Sequence, residues 1–390
     1  MSPVLTAPVR LSVPGPSLRR ATLAALSVLG VGLGGCGPTL VNFDPNNAVS
    51  IDVRPVEGQK VFCPGATFQV EVLAKLQSGS QCSSTDRNVG CQGQKDAVIN
   101  PTMIRLEGST GKRTGDLEKF MWSPPADIFE TADTGLVLRA WLEKQVEGQY
   151  QKSPVGESEL VPVYQCRMGD SFSASSGAPG PDISIAVTSL KTPYYADAAL
   201  IRVDAQGSRL YYISPSPEQP VHITTYGGDG PAGAQGKAGE KGEDGRAAPS
   251  GSPACTRGEA GRDGQDGGPG GPGGDGGPGG NILIQVDKSA GSSLLSRIVA
   301  ESRGGGPGAA GRGGDGGPGG RGGDGVTGPN CSDVKGQDGR AGRAGQSGQA
   351  GRPGQSGPAP TVKMAARQSL FVDEMTTIQR IESAKRKVAH

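Results

Sequence analysis

The chain has 390 residues, 67 of them Gly and 31 Pro, with 4% aromatic residues and a formal net charge of +1 at pH 7. So small a net charge gives no bulk attraction to nucleic acid or to an anionic membrane surface. The length allows two or more domains, and the scarcity of aromatic side chains argues against one large apolar core.

Residues 1–35 read as a secretion signal: Arg19 and Arg20 precede an apolar run from about Ala21 to Leu33, shorter than the roughly 20 residues a membrane span needs. The run ends in Leu33-Gly34-Gly35-Cys36, which resembles the lipobox of bacterial lipoproteins. The resemblance implies cleavage before Cys36 and lipid on its sulfur and new amino group. With Gly37 rather than Asp next, it also implies sorting to the outer membrane of a Gram-negative-type bacterium. The polar, turn-rich residues 36–48 then form a lipid-anchored tether.

From residue 49 to 168 the pattern becomes short runs with apolar residues at every second position, as in Val49-Ile51-Val53, Phe68-Val70-Val72, Leu136-Leu138-Ala140-Leu142 and Val161-Val163. Such runs, separated by turn residues and without a long helical period, predict an immunoglobulin-like β-sandwich with a core around Trp122 and Trp141. Of seven Cys, six remain once Cys36 carries lipid, and an even number in an exported chain favours three disulfides among fifteen possible connectivities. Cys63 and Cys166 are placed to close the sandwich domain, and Cys82 and Cys91 flank a polar loop. Neither the Cys spacing nor any nearby His supports a zinc site.

Residues 169–182 read as a Ser/Gly/Pro linker, and 183–226 as strands of a small β platform ending at Tyr226. Between Gly227 and Gly357 lie 46 of the 67 Gly, in four runs within residues 227–360. The first, 227–245, and the fourth, 336–357, place one Gly in every triplet, whereas the second, 258–279, and third, 305–323, double it in most. Strands inserted at 281–302 separate the second run from the third. A period of three fits an extended threefold helix with one face on which only hydrogen is accommodated. Three arrangements satisfy that period: a collagen triple helix between chains, a bundle of about four glycine-rich helices within one chain, or a disordered linker. Ten Pro in these 131 residues is well below the roughly 15–20% of collagen. The doubled Gly implies a second close backbone neighbour, so the bundle is the favoured expectation, with the second and third runs central. Cys255 and Cys331 fall one in each far reversal and would staple the two tips.

The stretch from Gly276 to Gly308, in which apolar strands interrupt Gly-Gly-X-Gly-Gly tracts, resembles the glycine-rich and collagen-like surface lipoproteins of bacteria, and the tracts alone are similar to polyglycine-II helix bundles in certain antifreeze proteins and phage tail-fibre tips. Residues 361–390 read as a strand and a short C-terminal helix, with Phe371, Met375, Ile378 and Ile381 at helical spacing and Asp373 placed to cap it. Packing against the platform is the expected role of this helix, with oligomerisation as the alternative.

Catalysis has little to stand on. The two His, His222 and His390, sit in a strand pattern and at the last residue, and no nucleophile elbow, metal motif or phosphate loop is present. The expectation is a mainly β, non-enzymatic surface lipoprotein without cofactor or metal. Its N-terminal lipid binds the membrane, and the bundle tips at 246–257 and 328–335 bind a surface glycan or protein. A monomer is favoured over a homotrimer. The alternatives are a trimeric collagen-like stalk that spaces the sandwich from the membrane and a subunit of a cell-surface assembly.

Overall fold

The computed structural model describes residues 38–115 and 119–385; the signal sequence and Cys36 lie outside them. The protein is mainly β, with several sheets and few, short helices.

The first region holds two five-stranded sheets that share one core. One sheet orders Ala48–Pro55, Phe68–Leu76, Met121–Ser123 and Lys112–Thr114, with Gln81–Ser83 also on Phe68–Leu76. The other orders Gln149–Lys152, Leu136–Val146, Gly156–Pro162 and Val61–Phe62, with Ile104–Gly108 also on Leu136–Val146. Val53, Val70 and Val72 from one and Leu138, Leu142 and Leu160 from the other are fully buried between them. Trp122 joins this core, but Trp141 does not: on a strand whose even positions from Leu136 to Leu142 face inward, residue 141 points outward, where its indole donates to Glu143. The expected inward pair Val161-Val163 is likewise displaced, because the strand buries Ser158, Leu160 and Pro162. Val49 is exposed where a bulge between Ala48 and Ser50 shifts the register.

The second region stacks a three-stranded parallel sheet, Gly169–Ser173, Val221–Tyr226 and Ile298–Arg303, on a five-stranded one. The latter orders Ser208–Ser214, Ala198–Ala205, Ile183–Leu190, Ile282–Asp287 and Thr361–Ala365. Its last three strands run parallel. Ile223 and Val221 meet Ile185, Val187 and Val286 in the core between the sheets.

The opposite face of the five-stranded sheet packs Ala186, Leu200 and Ile213 against Phe371, Ile378 and Ile381 near the C-terminus and against Ile128, Ala132 and Tyr164 of the first region. The helix Met375–Ser383 therefore brackets both regions, and its Arg380 donates to the Asp133 carboxylate and to the Phe129 carbonyl. Asp373 does not cap this helix; its carboxylate is taken by Arg209, and Glu374 occupies the position before the first turn without a side-chain capping bond.

Residues 169–182 are not a linker. Gly169–Ser173 pairs with Val221–Tyr226, and the loop beyond it is tied to the base of the glycine runs, Gly177 N–H donating to the Asp229 carbonyl and Gly180 N–H to that of Pro278. These bonds to the neighbouring strand and to the runs hold the segment in place despite its Ser/Gly/Pro composition.

Each glycine run continues a strand. The first and third extend outward from Val221–Tyr226 and Ile298–Arg303; the second and fourth return into Ile282–Asp287 and Thr361–Ala365. The hydrogen-bond partners fix their arrangement. First-run Gly N–H groups donate to third-run carbonyls, as in Gly230 to Gly306, and second-run Gly N–H groups to the fourth, as in Gly264 to Arg340. The second donates to the first, Arg262 to Glu243; the third to the second, Gly317 to Gln265; and the fourth to the third, Gly342 to Gly317. Each of these five ladders repeats every third residue. The second and third runs thus each touch all three others, while the first and fourth do not touch each other.

The candidate interaction site at the disulfide-linked tips

The site begins with the triplets that hold it still. In the third run two Gly rows are closed on both sides: a Cβ on Gly317 would fall inside 3.0 Å of the Glu240 carbonyl, and one on Gly316 would do so at the Gly342 carbonyl. Real Cβ atoms do not come so close, so the doubled Gly of this run is a steric requirement. In the second run the row facing the third is equally tight, as at Gly267 against the Gly314 carbonyl. The companion row is looser in its middle, where a Cβ on Gly268 would lie 3.3 Å from the Lys237 nitrogen, and closes toward the base, where one on Gly277 would meet the Ala178 carbonyl. The same row carries Glu259, Arg262 and Gln265 farther along. The sequence argument that both central runs need two glycines holds in part for each: the row of Gly316 carries Pro307 and Ala310 nearer the base of the third run, as the row of Gly268 carries Gln265 in the second.

Register is written in the remaining positions. Asp263, Asp266 and Asp275 of the second run accept backbone N–H bonds from Arg340, Arg343 and Arg352 of the fourth, each 77 residues onward, at 2.6–2.7 Å. At the same offset, Pro269, Pro272 and Pro278 face Gln346, Gln349 and Gln355. Each Asp takes a backbone N–H that the ladders leave unused, so these charge-assisted bonds tie the second run to the fourth at three points along its length. Asp229 and Asp244 of the first run repeat the device on Gly306 and Arg321 of the third. The Asp244 carboxylate is held below the usual range by the Lys241 ammonium and the Arg321 N–H. Asp338 is held low by the Gly322 N–H and then by Lys335.

At the far end of these ladders the reversals 246–257 and 328–335 come together. Cys255 and Cys331 are disulfide-bonded with Cα atoms 5.7 Å apart. Around the bond, Cys255 N–H donates to the Val326 carbonyl, Gly328 and Cys331 exchange backbone bonds, and Arg257 reaches the Asp333 carbonyl. Cys255 lies in the left-handed region at φ 72°, a conformation that costs a non-glycine residue about 1 kcal/mol. Val334 is buried beneath, whereas Arg246, Arg257, Asp324, Asp333 and Lys335 are exposed. The outcome is a small, mixed-charge, disulfide-pinned surface at the end of the four runs.

The other expected bonds are also present: Cys63 joins Cys166 and Cys82 joins Cys91. Three disulfides are the signature of an oxidising compartment, extracellular or periplasmic. No helix among the described residues is long and apolar enough to cross a membrane. His222 lies exposed on its strand, and among the described residues no group of three His, Cys, Asp or Glu is placed to hold a metal. An apolar groove of about 500 Å³ in the first region, lined in part by Val56, Phe62, Phe68 and Met121, contains Glu57 as its one carboxylate. Sequence reasoning missed the Asp–Arg register, whose signal was present as the constant 77-residue offset between two otherwise unremarkable rows. Comparison with protein-family models, with curated proteins and with solved structures finds no match.

Proposed function

We propose that the chain is a non-enzymatic, surface-exposed outer-membrane lipoprotein, anchored through Cys36, with a structural or adhesive role exercised at the tips of its glycine runs. In this reading the runs are polyglycine-II helices bundled within one chain and the first region is an immunoglobulin-like sandwich. The carrying observation is that two reversals 76 residues apart are joined by Cys255–Cys331 at the end of a support locked by five hydrogen-bond ladders. Loops on a rigid scaffold are where recognition concentrates, because ordering them on binding costs little more entropy. The ligand class is a surface glycan or protein.

The trimeric collagen-like stalk has less support. The Gly N–H groups that a triple helix directs to partner chains are here bonded within the chain. Deleting 249–254 and 329–333 separately and together, and measuring adhesion of cells displaying the protein, tests the proposal: adhesion should fall with each deletion, and full adhesion without both tips would refute it. Cys36→Ser should move the protein out of the membrane fraction.

A further inference from the structure

The two outer runs differ in a way that the tip reading does not use. Each has one residue per triplet whose backbone joins none of the ladders. In the first run this row includes Gln235, Lys241 and Asp244, and its base is covered by the 174–180 loop. In the fourth run it reads Asp338 near the tip and then Ala341, Ala344, Ser347, Ala350, Pro353 and Ser356, small from Ala341 onward and exposed along its whole length.

The same edge continues into Thr361–Ala365, the outer strand of the five-stranded sheet. Val362 and Met364 pair in register with Ile284 and Val286, so they belong to the core face. Yet Ile284 and Val286 are 6% and 0% exposed, whereas Val362 and Met364 are 46% and 50% exposed. The three-stranded sheet stops at Ile298–Arg303 and does not reach over them. Two layers that end one row out of step leave a recess beside a projecting row.

We propose that this edge, the fourth run together with Thr361–Ala365, is a homodimer seam at which a second copy of the chain docks. The N–H groups of the small row, absent only at Pro353, and its C=O groups face solvent and can be met by an extended partner of period three that comes backbone-close, and the row itself supplies one when a second copy is turned about a two-fold axis. A two-fold turn also sets the projecting row of one copy against the recess of the other and covers Val362 and Met364. Glu301 and Arg303 at the rim of the recess are already paired with each other, so they put no uncompensated charge there, and a net charge of +1 offers no long-range repulsion between copies. Lys363, on the face opposite Val362 and Met364, leaves the apolar pair unguarded.

The test is the mass of the exported chain in detergent, by analytical ultracentrifugation with the detergent contribution subtracted. A dimer is expected. Ala341→Arg with Ala344→Arg, and separately Val362→Asp with Met364→Asp, should each raise its dissociation constant at least about tenfold while leaving the melting temperature of the dilute, dissociated chain unchanged, since all four residues are exposed in one copy. Hydrogen exchange on the unaltered chain gives a second readout that needs no variant, with amides of 341–356 and 361–365 better protected in concentrated than in dilute samples. A monomer at every concentration, a trimer, a dimer indifferent to both variants, or exchange independent of concentration would overturn the proposal. None of these outcomes bears on the tips, whose deletion leaves the seam intact.

Discussion

The sandwich region and the glycine region reach order by opposite means. In the first, side chains such as Leu138, Leu142 and Val72 are withdrawn completely from water, and burying each is worth about 1.5–3 kcal/mol. In the second, the four runs add no side chain to the buried apolar set and their reversals add only Val334, and the backbone is instead saturated with cross-run hydrogen bonds. Each such bond is worth only about 0.5–1.5 kcal/mol net, so the glycine region depends on many bonds formed together and on a register that cannot slip. A core tolerates a change of shape better than a lattice tolerates an added atom.

The largest test of that contrast is Gly317→Ala. Its methyl group would enter the carbonyl of Glu240, and neither the first nor the third run can retreat without giving up several ladder bonds, for a loss of about 4–6 kcal/mol. Thermal unfolding followed by hydrogen exchange should show the runs opening well before the sandwich. Replacing Cys255 and Cys331 together by Ser should follow at about 4 kcal/mol, because the closed loop spans 76 residues; exchange should rise first at the tips. Leu138→Ala, in the sandwich, should cost about 3 kcal/mol and leave exchange in the runs unchanged. If instead both regions loosen together, they are one cooperative unit joined through the Phe371 and Ile378 bracket.

Much of this arrangement is legible in residue spacing. The period of three, the doubled Gly in the second and third runs and one Cys in each far reversal point to which runs are central and where the staple falls, because steric exclusion at Gly is a local rule. Less legible were features set by distant partners. The alternation that set Leu136, Leu138, Ala140 and Leu142 on one face already placed Trp141 on the other, whereas at Leu160 and Val161 both phases are apolar and only the packing of two sheets decides that Leu160 faces inward. The 169–182 segment has the composition of a linker, and its hydrogen bonds to Asp229 and Pro278 are made with residues some 50 to 100 positions away. Asp373 matches a helix-cap pattern, but Arg209, brought in by another strand, competes successfully for its carboxylate. The tip residues could be located, not their chemistry, because exposed charges carry no pattern of their own.

Acid should discriminate between the regions more gently. Asp338 is held below its ordinary range by the Gly322 N–H and Lys335, and Asp244 by Lys241 and the Arg321 N–H. A carboxylate whose folded value is depressed contributes stability that is complete above its unfolded value of about 3.9 and is lost as pH falls through the folded value. Exchange at Gly322 and Arg321 should therefore be flat from pH 7 to about pH 5, after correction for the intrinsic rate, and rise below about pH 4. Asp338→Asn and Asp244→Asn should remove that rise. An unchanged profile in the double variant would mean that these carboxylates do not hold the register.

The smallest effect is the most informative about why glycine is doubled. Gly268→Ala places a methyl group 3.3 Å from the Lys237 nitrogen, on a row that already carries Gln265 three residues earlier. The added Cβ restricts the unfolded chain about as much as its tight 3.3 Å contact crowds the folded one, so the two effects oppose and stability should change by less than about 1 kcal/mol. Set beside Gly317→Ala, this pair separates two uses of the same residue: at 317 the glycine admits a neighbouring backbone, and at 268 it merely leaves a side chain off. Should Gly268→Ala prove as damaging as Gly317→Ala, the second run would be enclosed as tightly as the third, and the first run would have to lie closer to it than the 3.3 Å approach allows.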